Sequence, residues 1–383
     1  MNIGVVMTRG LSLEAWDAQG LIERELLLFR KLLDAGLISG LNIFSYGHQA
    51  TERQVVDRFM PGYSVAVAGW PLWFSRVDGR GWIRAFLIFL WSWRQASRSD
   101  VFVSNQLDGA WVAFGLAVCL RKPFIFRMGY RQLSLEREMK RLNFFLLTAM
   151  RLIEGLLLKR ASVVIVTSDF IKSELYADYG PELSKRIHVV PSVFDFKLFQ
   201  AGKKNWAPEL VFGGRISPEK NIKLIGEACG LAGWDLKIFT NSSDASCDRL
   251  LSSLSISSRE RVVIKKGRSN RQIAEELGRA SFLVLLSSSE GLPKILVEGM
   301  ASGCVCIVSD IPAHSHIISD GLNGFISDIG AQELANKLVK IGRLEHGILE
   351  SMSNKAVVTV NEKFDIAKSI KALSIAYKAA CSG

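Results

Sequence analysis

Two glutamates eight positions apart, Glu290 and Glu298, lie in the stretch SSSEGLPKILVEGMASG, and two cations, Arg215 and Lys220, lie in FGGRISPEKN. Carboxylates accept hydrogen bonds from hydroxyls, Arg grips a phosphate with a planar fork, and Lys adds a compact charge. Together they suit a ligand with polyol ends and a diphosphate between them. The glutamate interval alone decides nothing, because Glu174/Glu182 and Glu219/Glu227 repeat it. Context separates the pairs. Glu290 follows the apolar run SFLVLLS, Gly291 permits close backbone approach, and Pro293 suits a first helical position. The predicted helix runs through Glu298 to Ser302 and stops at Gly303. Its N-terminus offers backbone N–H groups and a positive dipole end to an anion. Gly213 and Gly214 likewise end a strand before Arg215, and Lys220 starts the next helix. The other pairs read as solvated: Glu174 and Glu182 flank a helix end before Pro181, and Glu219 and Glu227 share one helix surface.

The elements that must position these groups follow from the apolar pattern. In the second half, ELVFGG, DLKIFT, RVVIK, SFLVLLS, CVCIVSD and NGFIS alternate with helical segments. Continuous apolar strands between helices imply a parallel sheet covered on both faces. NIGVVM, LNIFSY, SVAVAGW, VFVSN, PFIFRM and SVVIVTS repeat the rhythm in the first half. The expected fold is α/β, with two doubly wound Rossmann-like domains facing across a cleft and a C-terminal helix. The expected divisions are 1–188, 189–360 and a helix in 361–383 packing back on the first domain. Ligands of such sheets bind beyond the carboxyl ends of the strands, so strand-end motifs carry the functional weight.

The bulk properties narrow the classes. A chain of 383 residues suits two domains. The net charge of +11 is uneven: Arg121 to Lys172 holds eleven bases against four acids. Such a face attracts anionic lipid or phosphorylated substrate, and charge alone supports no nucleic-acid partner. RGWIRAFLIFLWSWRQ (80–95), with Trp82, Trp91 and Trp93, resembles an interfacial helix; RLNFFLLTAMRLIEGLLLKR (141–160) is expected to be a core helix. No apolar run approaches the ~20 residues that span a bilayer. The start, MNIGVVMTRG, reads as a strand and turn rather than a signal peptide. The six cysteines have no zinc or disulfide spacing, which fits a reducing cytoplasm. His314 and His316 lack a third ligand, so no metal site is expected. No GxGxxG follows a strand, which argues against a dehydrogenase.

EGLPKILVEGMASG together with GGRISPEKN and DGLNGF (320–325) resembles the retaining nucleotide-sugar glycosyltransferases of the GT-B fold, family 4. The resemblance covers the C-terminal half and is architectural in the first. It implies that Arg215 and Lys220 bind the donor diphosphate, that Glu298 binds ribose, and that Glu290 binds the transferred sugar near the backbone of Gly291 and Leu292. Gly267, Arg268 and Ser269 would line the nucleobase. Gly213, Gly214, Pro293, Lys294 and Ile295 complete the implied donor set. No D-x-D pair occurs, which agrees with a metal-independent reaction needing no cofactor. The sequence departs from the family where single Gly10 and Gly20 replace a Gly-Gly loop, where Arg127 stands at the place of a usual His, and where PSVFD replaces Pro-Asn-Gly-Val-Asp. Gly10, Asp108, Arg127, Gly129 and Tyr130 are the acceptor-binding candidates. The implied activity is transfer of a hexose from a UDP- or GDP-sugar to a hydroxyl of a saccharide or lipid-linked saccharide, in surface polysaccharide or glycolipid assembly. It would take place in the cytoplasm at an anionic inner membrane surface. A GT-B epimerase and a non-catalytic nucleotide-sugar or membrane-surface binding protein are the alternatives.

Overall fold

The computed structural model describes residues 1–18, 21–70, 91–139 and 142–381. Gly20 and most of the aromatic 80–95 stretch, Trp82 included, lie outside the described residues; Trp91 and Trp93 are described and exposed. The chain divides into two compact units, Met1–Val193 with Ile366–Gly383, and Phe194–Asp365.

Each unit is built on one parallel sheet. The first contains β1 (Asn2–Val6), β2 (Gly40–His48), β3 (Val65–Trp70), β4 (Val101–Ser104), β5 (Phe124–Met128), β6 (Val163–Val166) and β7 (Ile187–Val189), in the order β3-β2-β1-β4-β5-β6-β7. The second contains β8 (Glu209–Gly213), β9 (Asp235–Thr240), β10 (Val262–Lys266), β11 (Phe282–Leu285), β12 (Val305–Ser309) and β13 (Phe325–Ser327), in the order β10-β9-β8-β11-β12-β13. Every strand run read from the sequence is present. The central strands FLVL and VCIVS are buried throughout, as the helix-covered faces of a parallel sheet require. In both sheets the order reverses once, between β1 and β4 and between β8 and β11. At such a reversal neighbouring connections leave on opposite faces and open a crevice at the carboxyl edge.

The units divide after Val193, not at 188. β7 pairs with β6, Val164 opposite Ile187, so a division at 188 would cut a paired strand. The helix His346–Lys363 buries Leu349, Met352 and Val360 in the second unit's core. The last helix, Ile366–Cys381, buries Leu373, Ala376 and Tyr377 in the first unit's core.

The helix Phe144–Arg160 corrects a sequence reading. It was expected in the core, yet Phe144 and Phe145 are 76% and 80% exposed and Leu146, Leu152, Ile153 and Leu156 are exposed as well. Its apolar residues encircle the axis instead of forming one stripe, and packing covers only the side carrying Glu154, Leu157 and Leu158. Glu154 is wholly buried because it meets Arg131 at 2.8 Å. Arg131 also reaches Asp178 at 2.6 Å, and the Tyr179 hydroxyl donates to Glu154 at 2.8 Å. This cluster pins the segment that follows β5. Removing one partner leaves the other charge buried alone, so Arg131→Ala should lower the stability of the folded chain by about 3–5 kcal/mol. Arg137→Ala, which removes a far more exposed partner of Asp178, should cost under about 1 kcal/mol. Denaturant midpoints of the two variants measure the difference.

Candidate functional site

The carboxyl edge of the second sheet carries the predicted donor residues, and hydrogen bonds join its loops one to the next. After β10, the Gly267 N–H donates to Asn241 Oδ1 beyond β9 at 3.1 Å. After β8, the Ile216 N–H donates to Ser242 Oγ at 2.8 Å. Asn221 Nδ2 donates to the Leu286 carbonyl beyond β11 at 2.8 Å, and the Ser288 N–H donates to the Glu219 carbonyl at 2.8 Å. The loops after β8 and β11 are therefore joined across the point where the strand order reverses.

Lys220 and Glu290 meet there. Lys220 ends the short 3-10 turn Pro218–Lys220, and its Nζ donates directly to Glu290 Oε1. Their side chains are 16% and 12% exposed, so the pair faces outward only in part. Ser287 Oγ donates to the same Oε1 at 2.7 Å. Glu290 Oε2 has no hydrogen-bond partner among the described residues. Arg215 is exposed beside this pair in sequence and makes no ion pair among the described residues. Gly213 lets the parts approach: a Cβ there would lie 2.8 Å from Ile295 Cδ1.

The helix after Glu290 runs Lys294–Ala301, with Pro293 as its N-cap and not its first residue. Pro293 has a non-helical ψ of 88°, while its carbonyl already accepts from the Leu296 and Val297 N–H groups. Gly303 ends the helix at φ 76°, the left-handed region expected of a terminating glycine. Glu298 is 2% exposed, so a hydroxyl that binds it must reach into the wall of the site. Gly291 is exposed, Leu292 and Lys294 are half-buried, and Ser269 uses its hydroxyl to cap the helix Asn270–Arg279. Arg268 is half-buried in the same loop.

The other two glutamate pairs are not simply solvated. Glu219 lies in the 3-10 turn and accepts from Ser217 Oγ at 2.7 Å, so it does not share a helix with Glu227. Glu227 accepts from the Ser255 N–H, Ser255 Oγ and Ser258 Oγ at 2.7–2.9 Å, and these bonds hold its carboxyl below the ordinary range even though burial opposes that shift. It is a cap for the helix Ile256–Arg259 rather than a solvated charge. Glu174 accepts from Ser134 Oγ.

In the first unit the reversal between β1 and β4 is also bridged by an ion pair. Arg9, after β1, donates through Nε and Nη2 to both oxygens of Asp108 after β4, at 3.0 and 3.2 Å. Arg127 Nη1 donates to Asn105 Oδ1 at 2.7 Å, the Gly129 carbonyl accepts from Thr167 Oγ1 at 2.8 Å, and Tyr130 is half-buried. Gly10 sits in an exposed turn at φ 77°. Arg9 escaped the sequence reading, although a cation directly after the first strand is the signal that would have found it.

His314 also escaped. The sequence offers it only as one of two histidines without a third metal ligand, yet it is fully buried in the helix Pro312–Ser315, and its Nδ1 lies 3.0 Å from the Ser309 carbonyl and 3.1 Å from Ser309 Oγ. Burial pushes its pKa down from 6.5 to about 4, with Lys220 adding to the drop and Glu290 opposing it. Between those values the unfolded chain binds a proton that the folded chain refuses, so stability falls as pH drops from 6.5 towards 4. The loss attributable to His314 should total about 3 kcal/mol, and His314→Asn should remove it from a melting-temperature profile against pH.

Residues 193–357 match the family described as glycosyl transferases group 1. A stretch of 117 residues is 27% identical to GDP-mannose:cellobiosyl-diphosphopolyprenol alpha-mannosyltransferase of Komagataeibacter xylinus, covering 29% of this chain and 30% of that protein's length. Over 99% of both chains, the fold is similar to that of Anabaena Alr3699/HepE in complex with UDP and glucose, at 16% identity and a TM-score of 0.76. It is similar to sucrose-phosphate synthase of Thermosynechococcus elongatus over 99% of this chain and 98% of that one, at 14% identity and a TM-score of 0.77. The chain therefore has the GT-B fold, and its residues 193–357 are similar to the glycosyl transferases group 1.

Proposed function

We propose that the protein is a retaining, metal-independent glycosyltransferase of the family 4 type, moving a hexose from a UDP- or GDP-sugar to a hydroxyl of a saccharide or lipid-linked saccharide. The observation that carries this reading is the meeting of Lys220 and Glu290 where the strand order of the second unit reverses. That is where a parallel sheet receives a ligand, and the two charges match a diphosphate and a sugar hydroxyl. The relatives support the donor class: one is named for GDP-mannose and another was solved with UDP and glucose.

In this mechanism the donor diphosphate takes the cations Lys220 and Arg215, which stabilise the charge that grows as the glycosidic C–O bond breaks. Glu290 keeps Oε1 on Ser287 and Lys220, leaving Oε2 for a hydroxyl of the transferred sugar. Glu298 binds the ribose. The acceptor oxygen attacks on the face from which the diphosphate departs, and its proton passes to the leaving phosphate oxygen. Positioning and charge stabilisation supply the rate, with no enzymic nucleophile and no resident cofactor. The first unit is the proposed acceptor-binding domain, through Gly10, Asp108, Arg127, Gly129 and Tyr130, with Arg9 added to hold Asp108.

The acceptor reading includes an anionic membrane surface at the inner face of the cell membrane, consistent with surface polysaccharide or glycolipid assembly. Among the described residues no helix is long and apolar enough to cross a membrane. The helix Phe144–Arg160 presents exposed Phe144, Phe145, Leu152 and Leu156 and ends in exposed Lys159 and Arg160. Apolar side chains that can insert, next to bases that attract anionic headgroups, are what surface attachment needs.

Two measurements test the reading. Arg215→Ala and Lys220→Ala should each lower turnover of UDP-glucose or GDP-mannose by about 10²–10³-fold, and full activity in both would remove the donor-site assignment. Product analysis with donor alone separates transfer from epimerisation. In flotation, the protein should rise with vesicles containing phosphatidylglycerol at low salt, and Phe145→Ser with Leu152→Ser should weaken that association. Absence of flotation by the unaltered protein would count against the membrane partner.

A further inference from the structure

Behind Glu290 a chain of buried polar groups runs from the loop after β11 to the loop after β12. Ser287, Ser309 and His314 are each 0% exposed. Ser287 gives its hydroxyl proton to Glu290 Oε1 and offers its carbonyl to Ser309 Oγ. The Ser309 hydroxyl proton is thus committed to Ser287. That commitment decides the tautomer of His314. Its Nδ1 stands against the Ser309 carbonyl, which can only accept, and against an Oγ whose proton is already used. Nδ1 must therefore carry the hydrogen and donate, leaving Nε2 as the unprotonated nitrogen. Nε2 has no hydrogen-bond partner among the described residues, so the ring acts through Nδ1 alone.

We propose that His314 is a positioning residue for the donor site: acting through Ser309 and Ser287, it fixes the carboxylate of Glu290 that meets the transferred sugar. The inference rests on the donor-site reading of Glu290 given above. Its physical basis is that a buried polar network holds one geometry only while every member is satisfied. Without the Nδ1–H donor, the Ser309 carbonyl keeps the Ile311 N–H at 3.0 Å, but the Ser309 hydroxyl oxygen loses the donor that fixes its rotamer. Ser287 then has no fixed carbonyl partner, and Glu290 is free to turn with Lys220. A displacement of about 1 Å at a group that orients substrate can cost on the order of 100-fold in rate.

Conservative replacements separate positioning from packing. Asn places an amide N–H near the position of Nδ1, whereas Gln places its amide near that of Nε2. With UDP-glucose and GDP-mannose as donors and nucleoside diphosphate release as the readout, His314→Gln and Ser309→Ala should lose kcat about 10–100-fold. Their affinity for free UDP or GDP should change far less, and His314→Asn should retain most of the turnover. Equal losses in the Asn and Gln variants, or a Gln variant that behaves like the unaltered protein, would overturn the proposal. Lys220→Ala in the same assay reports on the donor-site reading separately: full activity there removes that reading whatever His314 does. An independent readout needs no turnover. The chain holds five histidines, so the ring nitrogens of His314 can be assigned by nitrogen NMR against the His314→Asn protein. The Nδ1-protonated form is expected, and an Nε2-protonated ring would refute the chain of donors.

Discussion

A parallel strand delivers its connection to the carboxyl edge of the sheet, and a reversal of strand order sends two neighbouring connections to opposite faces. The proposed donor site depends on that constraint at β8 and β11, because only there do Lys220 and Glu290, 70 residues apart in sequence, come into direct contact. The first unit repeats the arrangement at β1 and β4 with Arg9 and Asp108. In both units an ion pair sits where the sheet leaves a crevice, and the glycine that ends β8 lets the following elements close on it.

The ion pair in turn depends on what stands behind it. Two charges at an exposed edge would gain little from each other in water, since solvent screening and side-chain entropy absorb most of the attraction. Lys220 and Glu290 are mostly covered, and Glu290 is braced through Ser287, Ser309 and His314. Arg131 shows the same physics in the first unit, where Glu154 and Asp178 satisfy a buried guanidinium, Tyr179 bonds to Glu154, and the segment after β5 is tied to the helices Phe144–Arg160 and Asp169–Tyr179. Buried polar groups of this kind contribute more to a unique geometry than to net stability, because each is costly if any partner is lost.

Much of the fold was legible in sequence because buried parallel strands are continuous apolar runs closed by Gly, Pro or Ser, and all the predicted runs became strands. The helix ending at Gly303 was legible for a similar local reason. The helix Phe144–Arg160 was not, since apolar residues on every side give the same composition whether neighbours cover them or leave them exposed. The role of Glu227 is not legible because its three donor groups belong to two serines of a short helix 28 to 31 residues further along the chain. His314 was passed over because its partners are a serine hydroxyl and a backbone carbonyl, which leave no ligand-spacing signature.

The local terms are written in the order of residues: which runs are strands, where helices begin and stop, and which residue types at strand ends suit a diphosphate and a polyol. These follow from short-range sterics, apolar periodicity and side-chain chemistry. Tertiary structure alone decided that Lys220 pairs with Glu290, that Arg9 grips Asp108, that Glu298 lies inside a wall, and that His314 reaches Glu290 through two serines. Strand order and packing between distant elements set those contacts, and neither is encoded in the spacing of residues along the chain.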